Sequence, residues 1–132
     1  MHINRRTTIQ GSSVAALLLT LGAAWAAQPV VEIIAFTHPP VQSALKSLRD
    51  WLVSQGTHVR VVEIDMETSA GEKRAAAVGV TGHVPILILV DGKFAFARKD
   101  GTTVEFKSFP AASNMKGAWT LDDAKVIISA AH

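Results

Sequence analysis

The sequence contains no cysteine among its 132 residues. This absence excludes a disulfide framework, a thiolate zinc site, an iron–sulfur cluster and a cysteine nucleophile. Internal repeats, linkers and low-complexity tracts are also missing, and the length suits one domain. The hydrophobic content of 48% is sufficient to form a single buried core. Any activity of this protein therefore proceeds without sulfur nucleophiles.

Without its first 26 residues, the sequence also has no excess of positive charge. Removing them takes away two of the 13 basic side chains and none of the 11 acidic ones, so 11 of each remain. No stripe of lysine and arginine is left to contact phosphates, and we expect no nucleic-acid partner. The apolar run at residues 14–21 is too short to span a bilayer comfortably, so we expect no stable membrane insertion after processing.

Residues 1–26 have the features of a signal peptide. Arg5 and Arg6 supply a positive start, the apolar run follows, and residues 24–26 offer the small-x-small pattern that a signal peptidase cleaves. Residues 4–10, NRRTTIQ, resemble the twin-arginine export signal, although Thr8 stands where that signal usually has phenylalanine. The alternative is an ordinary secretory leader that contains two arginines. Either route predicts a mature domain at residues 27–132 that is periplasmic or secreted.

Hydrophobic patterning predicts a strand–helix–strand unit at the start of the mature part. Runs rich in β-branched residues at 30–36 and 58–64 are typical of buried strands. Between them, apolar residues recur at helical spacing after Pro39 and Pro40, and Gly56 is placed to end the helix. A crossover of this length favours a parallel pair of strands.

Turn signals in the second half predict antiparallel strands. Asp91-Gly92 and Asp100-Gly101 are dipeptides typical of tight hairpin turns. We expect them to join three strands into a meander, at residues 86–90, 94–99 and 102–107.

Two capping patterns indicate the remaining helices. Ser69 with Glu72 forms a capping-box pattern that opens a short helix, and Thr120 with Asp123 does the same for the last helix. Together with the strands, they predict an α/β fold with a mixed parallel and antiparallel sheet.

Two segments resemble the thioredoxin-like superfamily. Residues 79–93, GVTGHVPILILVDGK, are similar to the thioredoxin segment in which a proline with a cis peptide bond precedes a strand, and Val84-Pro85 also matches glutaredoxins. Residues 36–41, FTHPPV, lie at the strand-to-helix junction where that family carries C-x-x-C. The resemblance places His38 and Val41 at the two cysteine positions. It implies a thioredoxin-like three-layer sandwich with a cis Val84–Pro85 bond and no thiol–disulfide oxidoreductase activity.

The resemblance also implies a ligand-binding groove between these two segments. In the family, backbone groups beside the cis-proline pair with an extended peptide or with glutathione, and that pairing does not require cysteine. We therefore expect a non-catalytic binding module for a protein segment or a small-molecule ligand. The groove residues implied are Thr37, His38, Pro39, Pro40, His83, Val84 and Pro85.

His38 and His83 also suggest a metal site, with copper or zinc as the ion. They would need a third ligand, for which the candidates are Met66, Met115, Asp65 and Glu67. The competing interpretation is that His83 faces solvent and that His38 is a polar cap on the helix, since no H-x-H or methionine-rich tract accompanies the pair. A third hypothesis, an enzyme with His38 as base, lacks a nucleophile and an oxyanion site. We therefore expect no enzymatic activity.

Trp119 has two interpretations. Because it precedes the capping Thr120, it can serve as a hydrophobic staple. Alternatively, it forms the apolar lip of a groove with Phe109 and Met115.

Overall fold

The structure, a computed structural model, describes residues 28–111 and 118–131. The proposed signal peptide and Met115 lie outside this part of the chain. Within it, three helices and five strands follow one another in the predicted order, and a short 3-10 turn occupies Gly56–His58. The elements are β1 Val30–Ala35, α1 Pro39–Gln55, β2 Arg60–Asp65, α2 Ser69–Ala77, β3 Ile86–Val90, β4 Ala95–Ala97, β5 Thr103–Glu105 and α3 Leu121–Ala130.

The main sheet has the strand order β2-β1-β3. β1 runs parallel to β2, with Val31 opposite Val61, and antiparallel to β3, with Ile33 opposite Ile88. The prediction of an α/β fold with a mixed sheet is therefore confirmed. Since β1 and β2 are parallel, their carboxyl ends lie at the same edge of the sheet.

The predicted meander is only partly correct. Asp91 and Gly92 have φ values of 50° and 81°, as a type I′ turn requires, and Val90 N donates to Lys93 O at 2.8 Å. However, β4 and β5 form a separate two-stranded sheet that joins β3 through isolated bridges such as Leu87 with Lys107. Ser108 N still donates to Ile86 O at 2.8 Å, and at Ser108, with a φ of 66°, the chain leaves the extended conformation.

The core lies between the sheet and the helices. All five residues of β3 are buried, so neighbouring elements cover both of its faces. Helix α1 contacts α3 and buries one face, and Gly56, with a φ of 57°, ends it as predicted. The buried face of α1 consists of Val41, Leu45, Leu48 and Leu52.

Trp119 belongs to this core rather than to a groove. Its side chain is only 1% exposed, and its ring meets that of Phe106 edge to face at 5.7 Å. The indole Nε1 donates to Ser108 O at 2.9 Å, which satisfies its buried polar group. The alternative that placed Trp119 at the lip of a groove is therefore wrong.

Two features hold α2 against the sheet. Arg74 Nε and Nη2 each donate to a different Glu32 carboxylate oxygen at 2.7 Å, which ties α2 to the central strand. At the start of the helix, a Cβ on Gly71 would overlap the Asp65 carbonyl oxygen, so only glycine allows this approach to the end of β2. The cap of α2 is Thr68, one residue before the predicted Ser69, and its Oγ1 accepts from Gly71 N.

Candidate functional site

The junction between β1 and α1 presents His38 at the helix N-terminus. Pro39 and Pro40 begin the helix, where a missing N–H leaves no intrahelical hydrogen bond unmade. His38 occupies the N-cap position, and its carbonyl accepts from Val41 N and Gln42 N at 3.0 and 3.1 Å. His38 therefore stands at the cap of the helix, as one interpretation expected, but its side chain makes no capping hydrogen bond.

The His38 side chain instead contacts the loop that follows β2. Its Nε2 lies 2.8 Å from Glu67 Oε1, with 59% and 52% of the two side chains exposed. An ionised carboxylate can only accept, so this hydrogen bond requires a proton on His38 Nε2. In the neutral imidazole, Nδ1 then carries the free lone pair.

His38 and His83 both lie next to the ring of Phe36. Its buried ring lies 5.4 Å from the His38 ring and 4.7 Å from the His83 ring, measured between centroids. His83 itself is exposed, as are Thr37, Pro39 and Pro40. The two predicted segments therefore meet across the Phe36 ring.

The Val84–Pro85 bond is trans, since no cis peptide bond occurs among the described residues. This corrects the cis-proline prediction. Gly82, with a φ of 89°, turns the loop, so that trans Pro85 presents its carbonyl to Phe36 N at 3.1 Å. Val84 N donates to Gly82 O at 3.2 Å within the loop. The amide that would pair with an extended peptide in the family is therefore already engaged.

A cavity of about 500 Å³ lies on the α2 side of Phe36. It occupies the edge where the carboxyl ends of β1 and β2 meet. His83 lines it, whereas the other six predicted groove residues do not. Its lining, called the α2 cavity below, consists of Phe36, Met66, Glu67, Glu72, Ala75, Ala76, Val80, Thr81, Gly82 and His83.

The α2 cavity has an apolar floor and acidic side walls. Phe36, Met66, Ala75 and Val80 are buried and supply apolar surface. Glu67 and Glu72 are exposed, and neither lysine nor arginine lines the cavity. A concave apolar space with a few polar groups at its edge is the usual form of a small-ligand site.

The candidate third metal ligands have different surroundings. Glu67 is hydrogen-bonded to His38, Met66 is buried in the cavity floor, and Asp65 Oδ1 accepts from Glu67 N at 2.9 Å. Across residues 28–111 and 118–131, no three His, Cys, Asp or Glu side chains form a group suited to a metal ion. The two-histidine metal site stays a hypothesis.

The contribution of α2 to the site was missed by sequence reasoning. Glu72, Ala75, Ala76 and Val80 line the cavity because α2 lies close to the end of β2. The signal for it is the small-residue composition of the helix, since alanines at 75 and 76 leave space that larger side chains would fill.

Comparison with protein-family models, curated proteins and solved structures finds no match for this chain. In the described part of the chain, every helix is too short or too polar to cross a membrane.

Proposed function

We propose that this protein is a non-redox, thioredoxin-like binding module of the cell envelope that holds its ligand in the α2 cavity. The observation that carries the proposal is the cavity itself, about 500 Å³ in volume with a buried apolar floor. Cavities of roughly 300 to 1,000 Å³ accommodate small organic ligands or one or two side chains of a partner.

The strand arrangement supports the thioredoxin-like assignment. A parallel β1–β2 pair followed by an antiparallel β3, with helices in the crossovers, matches the order that the resemblance implies. The exposed His38 and the buried Val41 stand at the positions that the resemblance gives to the two cysteines. Without cysteine, such a site retains shape and polarity but cannot perform thiol–disulfide exchange.

The position of the ligand differs from the groove that the resemblance implies. The engaged Val84 amide argues against pairing with an extended peptide there, whereas the α2 cavity offers concave apolar surface on the other side of Phe36. We therefore assign binding to side-chain contacts within the cavity rather than to backbone pairing.

A matched pair of substitutions tests this assignment. Ala76 and Ala77 are neighbouring exposed residues of α2, but only Ala76 lines the cavity. A library of small amphipathic compounds is screened by ligand-detected NMR against the mature protein, and affinities of the hits are measured for both variants. Ala76→Trp should weaken binding about tenfold or more, because the indole occupies the cavity, and Ala77→Trp should not. Equal affinities in the two folded variants, or no hits, would overturn the proposal.

The cell-envelope location is supported by the proposed leader at residues 1–26. Replacing Arg5 and Arg6 by lysine should block export through the twin-arginine route. Normal export of that variant would assign the protein to the general secretory route. Retention of the wild-type chain in the cytoplasm would overturn the location.

A further inference from the structure

The charges around the α2 cavity are of one sign. Glu67 follows β2 and Glu72 lies in the first turn of α2, and both line the cavity. The remaining titratable lining residue is His83. A ligand that enters this space therefore meets two carboxylates and no fixed cation among the lining residues.

The basic residues of the neighbouring elements are directed elsewhere. Arg74 of α2 is bound to Glu32 through two hydrogen bonds, and Arg49 of α1 donates to Glu63. Lys73 is exposed on α2 but does not line the cavity. Arg49 and Arg74 are therefore paired with other carboxylates and not with the two glutamates of the cavity.

The two carboxylates retain hydrogen-bonding capacity. In the described part of the chain, Glu72 has no hydrogen-bonded or ion-pair partner, and Glu67 uses Oε1 for His38 while Oε2 has none. Each can accept a hydrogen bond from a cationic donor, which is stronger than one from a neutral donor. Below them, the floor of Phe36, Met66 and Val80 is apolar and buried.

From this combination we propose that the α2 cavity selects positively charged ligands, namely an ammonium or guanidinium group carried on an apolar body. The apolar body lies on the floor of the cavity, and the cation lies between Glu67 and Glu72. The group can come from a free organic amine or from a lysine or arginine side chain of a partner segment. This inference rests on the proposed function, since it specifies the ligand class for the same cavity.

Three probes of nearly equal size test the charge preference. Phenethylamine, phenethyl alcohol and phenylacetate share an aromatic body but carry positive, neutral and negative groups. Dissociation constants are measured by amide chemical-shift titration of the mature protein at low ionic strength. The amine should bind about three- to tenfold more tightly than the alcohol, since two partly exposed ion pairs contribute modestly, and the carboxylate should bind most weakly. Added salt should reduce the difference.

Variants that remove carboxylate charges test whether Glu67 and Glu72 cause the preference for the amine. Glu67→Gln with Glu72→Gln should abolish the preference for the amine over the alcohol while preserving alcohol binding. Asp122→Asn is the matched control, because Asp122 is also an exposed acid in the first turn of a helix but does not line this cavity. It should leave the preference unchanged.

A Phe-Lys-Phe tripeptide with blocked termini, and the same tripeptide with its lysine Nζ acetylated, distinguish a partner side chain from a free organic amine as the source of the cation. Preferential binding of the unmodified tripeptide assigns the site to a protein segment, and binding of the free amine alone assigns it to small molecules. Both results support the inference. Equal affinity for the amine and the alcohol would overturn the inference and leave the proposed function standing, whereas binding of no probe in the α2 cavity would overturn both.

Discussion

His38 Nε2 is hydrogen-bonded to Glu67 Oε1 at 2.8 Å, although the two residues are 29 positions apart in the sequence. The bond links the N-terminus of α1 to the loop that follows β2. The bond holds one oxygen of Glu67 at the edge of the α2 cavity. It also occupies Nε2 of His38, which is the imidazole nitrogen that faces that loop. The relationship therefore bears on both the binding proposal and the metal hypothesis.

The metal hypothesis predicts a joint response of His38 and His83. If both coordinate one ion, equimolar copper or zinc should shift the ring signals of both histidines together in an NMR titration, and His38→Ala should abolish the shift at His83. His58→Ala is the control, because His58 is exposed and lies in the turn after α1. Weak, independent responses of the two rings would contradict a shared site.

Gly71→Ala should destabilise the protein by about 1 to 3 kcal/mol, because the added methyl group meets the Asp65 carbonyl and the Met66 backbone. The free energy of unfolding is measured by urea denaturation. Ser69→Ala, at an exposed position in the same helical turn, is the control and should have a much smaller effect. A stability gain in Gly71→Ala, as expected from helix propensity alone, would show that α2 does not approach β2 so closely.

Stability should depend on the ionisation of Asp123. The Arg98 guanidinium, through its hydrogen bonds to the Asp123 carboxylate, holds the pKa of Asp123 below its ordinary value, and the bonds to Thr120 act in the same direction. Because this pKa is lower in the folded state than in the unfolded state, the contribution is present above the unfolded value of about 3.9. It is lost as the pH falls through the folded value.

Asp123→Asn should therefore be less stable than the wild type near neutral pH, and the difference should narrow in acid. Thermal unfolding followed by circular dichroism over a pH series measures both. Asp122→Asn is the control, because it removes the same charge from the same turn but leaves the Arg98–Asp123 hydrogen bonds in place. A stability gap for Asp123→Asn that is constant from neutral pH into acid would contradict the role given to the Arg98–Asp123 pair.

Restoring cysteines tests the thioredoxin-like assignment. With His38→Cys and Val41→Cys, the first side chain is exposed and the second is buried at the start of α1. Such a pair at a helix N-terminus should form a disulfide on oxidation and give measurable insulin reduction, whereas either single variant should not. A folded double variant that forms no disulfide would mean that the FTHPPV segment does not correspond to C-x-x-C.

Much of the fold was predictable because its signals are local. Helical spacing after Pro40 and the paired turn residues Asp91 and Gly92 each act within a few positions, and the structure confirms both. The predicted cap of α2 lies one residue after the observed cap, because Thr68 and Ser69 are both good capping residues. The choice between them depends on which hydroxyl reaches Gly71 N.

The candidate site was less predictable because its contacts are long-range. The position of α2, and with it the cavity, depends on the Arg74–Glu32 pair, whose members are 42 residues apart. The hydrogen bond from Phe36 N to the Pro85 carbonyl likewise joins segments that are distant in the sequence, and no local pattern specifies it. The histidines were identified by alignment with a family motif, whereas the capping pattern that includes Glu72 indicates only a helix start and not a cavity.

Ligand binding in the α2 cavity is tested most directly by an amide chemical-shift titration of the mature protein with phenethyl alcohol, which carries no charge and so reports cavity binding without the charge preference. Binding in the α2 cavity should concentrate the shifts in residues 66–67, 75–76 and 80–83, and Ala76→Trp should remove them while Ala77→Trp should not. Shifts concentrated instead at Thr37, His38 and Val84, or at the surface lined by Val53 and Val61, would contradict binding in this cavity.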